Sequence, residues 1–105
     1  ALEGLVMQEL RATNDYGGLG YSLHFWRSRD LEVDFVLYGA RGIHAFEVKH
    51  TSRVRDQDLK GLRAFLDVYP GAKAYLLYMG TTAEQTRGID VLPVKDTLRR
   101  LPSLI

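Results

Sequence analysis

Residues 31–49 contain two runs in which apolar and polar side chains alternate, joined by Gly39-Ala40-Arg41-Gly42. Such alternation is typical of half-buried β-strands, and a short glycine-containing connection between two such runs predicts an antiparallel hairpin. The turn also fixes the pairing of the strands, because a slip by one residue would move every side chain to the other face. The expected opposed pairs are Tyr38 with Ile43, Val36 with Ala45, Asp34 with Glu47, and Glu32 with Lys49.

Periodic segments also lie on both sides of this hairpin. The other predicted elements are helices at 2–12 and 56–69, strands at 21–27, 74–79 and 89–94, a loop at 81–88, and a short final helix at 95–101. Asn14-Asp15-Tyr16-Gly17-Gly18 should end the first helix, and Asp56 should cap the second. The order α-β-β-β-α-β, followed by a strand and a helix, predicts an α/β fold with a mixed sheet flanked by helices.

Composition narrows the function only slightly. A length of 105 residues suits a single domain spanning residues 1–105, and the lack of cysteine excludes disulfides and thiolate metal sites. A formal net charge of +1 names no partner, and no apolar stretch approaches the length of a membrane span. We therefore expect a cytoplasmic protein without a membrane partner. Because Ala1 opens directly into a helical pattern, we also expect a fragment of a longer chain.

The hairpin brings two acids together. In the expected register the Cβ atoms of Asp34 and Glu47 lie roughly 4.5–5.5 Å apart, where like charges repel unless a proton, a cation or a metal ion intervenes. Lys49 follows Glu47 on the same face, roughly 6.5 Å along the strand. Two carboxylates suffice to hold Mg²⁺, and Lys49 is then placed to orient an attacking water. The alternative is an ordinary salt-bridged sheet face.

Other charged residues extend this candidate site. Glu3 falls within the apolar arc of the first helix and is expected to point inward. A positive run follows the third strand and is either a solvated helix face or a phosphate-binding surface. Its members are Arg53, Arg55, Lys60 and Arg63, with Gln57 and Lys60 as the expected auxiliary contacts. His44 is predicted to lie on the face opposite Glu47, either packed or at the surface, and His50 is a candidate phosphate contact.

Three segments carry a resemblance to a known superfamily. They are Leu2–Leu10, Glu32–Val36 and Ala45–Lys49, and Leu92-Pro93-Val94 adds to them before the final helix. Their order and residues resemble the PD-(D/E)XK restriction-endonuclease-like superfamily, with Val33 in place of the proline of the motif. More narrowly, they resemble a domain, itself of unassigned function, found C-terminal to AAA-type ATPase modules in bacteria and archaea.

The resemblance implies a restriction-endonuclease-like core and Mg²⁺-dependent hydrolysis of nucleic-acid phosphodiester bonds, with Mn²⁺ as a substitute. It implies catalytic roles for Asp34, Glu47 and Lys49, and metal ligation by Asp34, Glu47, the Val48 carbonyl and Glu3. The expected partners are nucleic acid, DNA above all, an ATPase module in the same parent chain, and a second copy of the domain. The alternative is a non-catalytic nucleic-acid- or protein-binding module of such an ATPase.

Overall fold

The fold is a six-stranded mixed sheet with helices on both faces, as seen in a computed structural model that describes residues 1–105. The helices are α1 (Leu2–Gly17), α2 (Lys60–Val68), α3 (Val94–Arg99) and α4 (Leu101–Leu104), with a 3-10 helix at Asp56–Leu59. The strands are β1 (Ser22–Ser28), β2 (Leu31–Gly39), β3 (Gly42–Val48), β4 (Lys73–Tyr78), β5 (Glu84–Thr86) and β6 (Ile89–Pro93).

The strand order across the sheet is β1-β2-β3-β4-β6-β5. β3, β4 and β6 are parallel to one another, whereas β1, β2 and β5 join by antiparallel pairing. The predicted α/β fold, with its α-β-β-β-α-β order and mixed sheet, is therefore confirmed. Since the central parallel strands end at one edge, Val48, Tyr78 and Pro93 finish side by side.

Two apolar cores hold the layers together, one on each face of the sheet. On one face Leu37, Phe46 and Leu77 pack with residues of α1, α3 and α4. On the other face Ala45 and Leu76 pack with Leu62 and Phe65 of α2. Gly61 allows α2 to approach β2 closely, because a Cβ at this position would overlap the main-chain oxygen of Glu32.

None of the helices combines the length and the apolar character that a membrane-spanning helix requires.

The predicted register of the β2–β3 hairpin is confirmed at its turn end. Tyr38 pairs with Ile43 and Val36 with Ala45, and the regular ladder ends at the pair of Phe35 with Phe46. The predicted division of β2 into two faces is wrong at one point. A bulge between β1 and β2 breaks the alternation, so Val33 packs on the α2 face with Val36 rather than with Leu37.

Several predicted boundaries are wrong. α1 continues through Asn14 to Gly17. The backbone of Asn14 remains helical, and its side chain bonds the N–H and the C=O of Tyr21 instead of ending the helix. Gly18 then ends the helix in the left-handed conformation, with φ of 59°. The predicted loop at 81–88 contains β5, a short polar strand whose pairing with β6 no apolar pattern announces.

The second predicted helix also begins differently. Its first turn is the 3-10 helix, and Arg55, not Asp56, is the residue that precedes it. Asp58 closes this start, because its carboxylate accepts the Arg55 N–H at 2.9 Å. Asp56 instead pairs with Arg63 at 3.0 Å.

Candidate functional site

The candidate site lies where β2 and β3 stop pairing through their backbones. Beyond the pair of Phe35 with Phe46, side chains replace the ladder. The Val48 N–H donates to Oδ2 of Asp34 at 2.8 Å, and the Asp34 N–H donates to Oε1 of Glu47 at 3.0 Å. Each acid thus satisfies a backbone donor of the opposite strand, and the expected proximity of Asp34 and Glu47 is confirmed.

Glu47 is a buried acid, with 7% of its surface exposed. It pairs in register with Leu76 of β4, two residues beyond the pair of Ala45 with Ala74, which places it on the α2 face. The pKa of Glu47 is raised to about 8, chiefly by burial and then by repulsion from the Asp34 carboxyl and a hydrogen bond between the two acids. The Asp34 N–H and the Lys49 ammonium act in the opposite direction. At neutral pH the isolated pair therefore holds a proton.

Lys49 is the cation of the site. Its Nζ lies 3.5 Å from Oε2 of Glu47, and its side chain is 36% exposed, so the ammonium is accessible from solvent. Its own N–H donates to the Leu77 carbonyl at 2.9 Å, which extends the parallel pairing of β3 with β4 past the end of the strand. The lysine backbone is therefore held rigidly beside the acid pair.

The donor set fits a hard divalent cation. Because the N–H and C=O of one residue in an extended strand point to the same side, the Val48 carbonyl faces the opening that holds Asp34. Mg²⁺ is usually bound by one or two carboxylates together with waters and substrate phosphates. Asp34, Glu47 and the Val48 carbonyl supply such a set. No group of three or more acid or histidine side chains converges anywhere in the chain, so a metal cage built from protein alone is not present.

Glu3 does not point into the interior as expected. It is exposed and lies in the first turn of α1, where it lines an open cavity with Val48 and His50. The helical spacing predicts the buried side of α1 correctly at Val6 and Leu10, but Glu3 in the first turn is exposed. The metal-binding role that the resemblance implies for Glu3 stays a prediction.

The basic segment lies directly after the site. Arg53, Arg55, Gln57 and Lys60 are all exposed, and no hydrogen bond or ion pair joins their side chains to Asp34 or Glu47. Arg63 differs from them because it is bound to Asp56. Arg53, Arg55 and Lys60 therefore remain without an acidic partner in the segment that follows Lys49. Their nucleic-acid role stays a prediction.

One supporting residue was missed by the sequence reasoning. Thr51 accepts the Arg53 N–H on its hydroxyl at 3.2 Å, and its carbonyl accepts the Met79 N–H at 2.8 Å. These bonds fix the segment between Lys49 and the basic residues against the end of β4. The tendency of a threonine hydroxyl to bond the N–H two residues later is the local turn signal that could have identified it.

The two remaining histidines of the site region fall on different surfaces. His44 is buried on the face opposite Glu47, as predicted, where its ring packs against Tyr21 and Tyr75. Burial lowers the pKa of His44, and the nearby Lys73 and Arg41 charges lower it further. His50 is exposed at the edge of the cavity next to Val48.

A comparison with protein families gives one match. The family model described as "Domain of unknown function (DUF4143)" matches residues 1–97. No curated protein matches the sequence.

Proposed function

The chain belongs to the family described as Domain of unknown function (DUF4143), whose description assigns no activity, and we propose that it is a Mg²⁺-dependent phosphodiester hydrolase acting on nucleic acid. The observation that carries this proposal is the opening between β2 and β3, where Asp34, Glu47 and Lys49 meet. The same geometry supports the proposal of a place in the PD-(D/E)XK superfamily. A position C-terminal to an ATPase module is proposed from the sequence resemblance alone.

The residues take distinct parts in the proposed reaction. Asp34, Glu47 and the Val48 carbonyl hold the cation, and the backbone bonds of the two acids keep their carboxyl groups fixed before substrate arrives. Mg²⁺ bound there supplies polarisation of a phosphoryl oxygen and a lowered pKa of its bound water. Lys49 holds the attacking water in position and offsets negative charge that develops on the phosphate.

Exposed cations next to the acid pair supply the substrate contacts. Arg53, Arg55 and Lys60 form no ion pairs within the chain, so they are available to phosphates. Gln57, exposed in the same segment, adds an uncharged contact. Together these residues bind the backbone of the nucleic acid. At the acid pair, Mn²⁺ is able to replace Mg²⁺.

Cleavage assays test this function directly. Plasmid, single-stranded DNA, branched DNA and RNA are incubated with Mg²⁺ or Mn²⁺ and either the wild type, Asp34→Asn or Lys49→Ala. We expect metal-dependent cleavage by the wild type and a loss of at least about 100-fold in each variant. Asp34→Asn keeps an acceptor for the Val48 N–H, so its loss reports chemistry rather than unfolding. Lys73→Ala, at the opposite end of β4, is the control and should cleave normally.

The absence of metal-dependent cleavage on every substrate, or wild-type rates in both variants, would contradict the proposal.

One observation favours a second candidate, a non-catalytic binding module of an ATPase. Asp34 and Glu47 both bond backbone donors, which is also what a purely structural pair of acids would do. Nucleic-acid binding without metal dependence and without cleavage would support that module.

A further inference from the structure

A second charged cavity opens at the same edge of the sheet as the acid pair. It has a volume of about 460 Å³ and lies between the segment after β4 and the start of α3. Six of its nine lining residues are not hydrophobic. The lining includes Gly80, Thr81, Lys95, Asp96 and Arg99.

The cations of this cavity have no partner. Lys95 and Arg99 are exposed, lie one turn apart on the same side of α3, and take part in no ion pair or side-chain hydrogen bond. Asp96 does not neutralise them, because its carboxylate pairs with Arg100 at 3.6 Å. Two like charges at this spacing repel each other, and an anion bound beside them would relieve that repulsion.

Hydrogen bonds in the turn after β4 fix one wall of the cavity. The Tyr78 hydroxyl donates to the Thr82 carbonyl at 2.7 Å and accepts the Thr82 N–H at 3.3 Å, which closes the turn after β4. Gly80 passes against the Tyr78 ring so closely that a Cβ would overlap it. This turn therefore holds the segment that carries Thr81, which lines the same cavity as Lys95.

A backbone hydrogen bond links the lining of the cavity to the segment that follows the candidate site. Met79, at its rim, donates its N–H to the Thr51 carbonyl, and Thr51 follows Lys49 by two residues. β4 is the single strand between β3 and β6, so the ends of β3 and β6 lie about 10 Å apart. α2 packs on one face and α3 on the other, which leaves a crevice above the carboxyl end of β4. Ligands of open α/β sheets bind in crevices of this kind.

We propose that Lys95 and Arg99 form a phosphate-binding subsite for a nucleic-acid backbone that runs from the Arg53–Lys60 segment, past Lys49, to α3. The inference rests on the proposed function for the nature of the ligand, since the subsite continues the path of the substrate. Lys95 and Arg99 would contact the nucleic acid on the α3 side of the acid pair, where neither the acid pair nor the basic segment has residues. The backbone then contacts cations on both sides of the cleavage position.

Binding without metal tests the subsite separately from catalysis. The affinity for labelled single-stranded and duplex DNA is measured in EDTA over a range of salt concentrations, for the wild type and for Lys95→Gln/Arg99→Gln. We expect the double variant to bind at least about tenfold more weakly at low salt, with a salt slope shallower by about 2 for duplex DNA. Lys95→Arg/Arg99→Lys retains both charges and should bind as the wild type does, which a merely structural role would not produce.

The matched control is Arg11→Gln/Lys73→Gln, which removes the same charge from exposed, unpaired residues on α1 and at the opposite edge of the sheet. Equal binding by the two double variants would overturn the subsite. Weaker binding by Lys95→Gln/Arg99→Gln alone upholds it even if no substrate is cleaved. Cleavage with unchanged binding in that variant upholds the nuclease and overturns the subsite. Inorganic phosphate is titrated as well: saturation by phosphate, with DNA binding indifferent to the substitutions, would also overturn it.

Discussion

The two ends of the β2–β3 hairpin are held together by different means. Near the turn, backbone hydrogen bonds run through the pairs Tyr38–Ile43 and Val36–Ala45, and the flanking side chains are mainly apolar. At the other end the ladder stops, and the carboxyl groups of Asp34 and Glu47 take over the backbone donors. The first end contributes stability through burial, whereas the second places two acids and Lys49 at an opening in the sheet.

The difference between the two ends shows where side-chain acceptors replace backbone carbonyls in this hairpin. A continued ladder would satisfy the Val48 N–H with a carbonyl and would require no acid. Using Asp34 instead brings a second carboxyl beside Glu47, and burial of Glu47 together with repulsion from Asp34 raises the pKa of Glu47 to about 8. The burial of Glu47 and its repulsion from Asp34 destabilise the fold at the candidate site. A bound cation would offset this destabilisation, and the substitutions below test the two ends of the hairpin separately.

The largest effect is expected at the regular end. Phe46 is fully buried and stacks on Tyr75 with 4.7 Å between ring centroids. Phe46→Ala should lower the free energy of unfolding by about 3–5 kcal/mol, because it removes buried surface and leaves a cavity. Urea denaturation followed by circular dichroism measures this value. A loss no larger than that of an exposed substitution would show that the core on this face is not packed as described.

The second effect concerns the pH dependence of stability. Since the pKa of Glu47 rises from 4.5 to about 8 on folding, the folded state holds a proton that the unfolded state has lost in this window. Without metal, stability should therefore fall as the pH rises from 4.5 to 8, by at most about 1.4 kcal/mol per pH unit. Glu47→Gln, which resembles the protonated acid, should remove this fall and be the more stable protein at pH 9. An equal fall in both proteins would assign the pH dependence to another group.

The third effect concerns the backbone donor at the open end. Asp34→Ala leaves the Val48 N–H without its acceptor and should cost about 1–3 kcal/mol of stability. Asp34→Asn, which retains an acceptor oxygen, should cost less. Thermal unfolding of the two variants at one pH measures the difference. Equal losses would mean that the charge of Asp34, rather than its hydrogen bond, stabilises this end.

The smallest effect is expected at an exposed ion pair between β1 and β2. Arg27 and Glu32 lie 3.0 Å apart, with side chains 68% and 55% exposed. Arg27→Ala should change the free energy of unfolding by about 0.2–1 kcal/mol, because solvent screens such pairs. A double-mutant cycle with Glu32→Ala isolates the pair. A coupling as large as the Asp34→Ala effect would remove the distinction between exposed and buried charges on β2.

Much of the site region could be predicted from the sequence because strand periodicity and a short turn are local properties. The turn at Gly39–Gly42 was enough to place Asp34 beside Glu47. The bulge between β1 and β2 was not predictable, since it depends on pairing between separate strands. Helical spacing predicted an inward Glu3, but this residue is exposed, because spacing alone does not show which turns of a helix are covered by the rest of the fold. The bonds of the two acids to backbone donors were missed, because repulsion between carboxylates was considered without the opening of the ladder.

The most direct test of the central claim, that the acid pair is a divalent-cation site, is calorimetric titration of the protein with Mn²⁺ at pH 7 in two buffers of different ionisation enthalpy. Because Glu47 is protonated at this pH without metal, we predict one bound ion per chain and release of close to one proton as the ion binds. Asp34→Asn should bind far more weakly, and any binding by Glu47→Gln should release no proton. Absence of binding to the wild type, or equal affinity and equal proton release in both variants, would contradict the account.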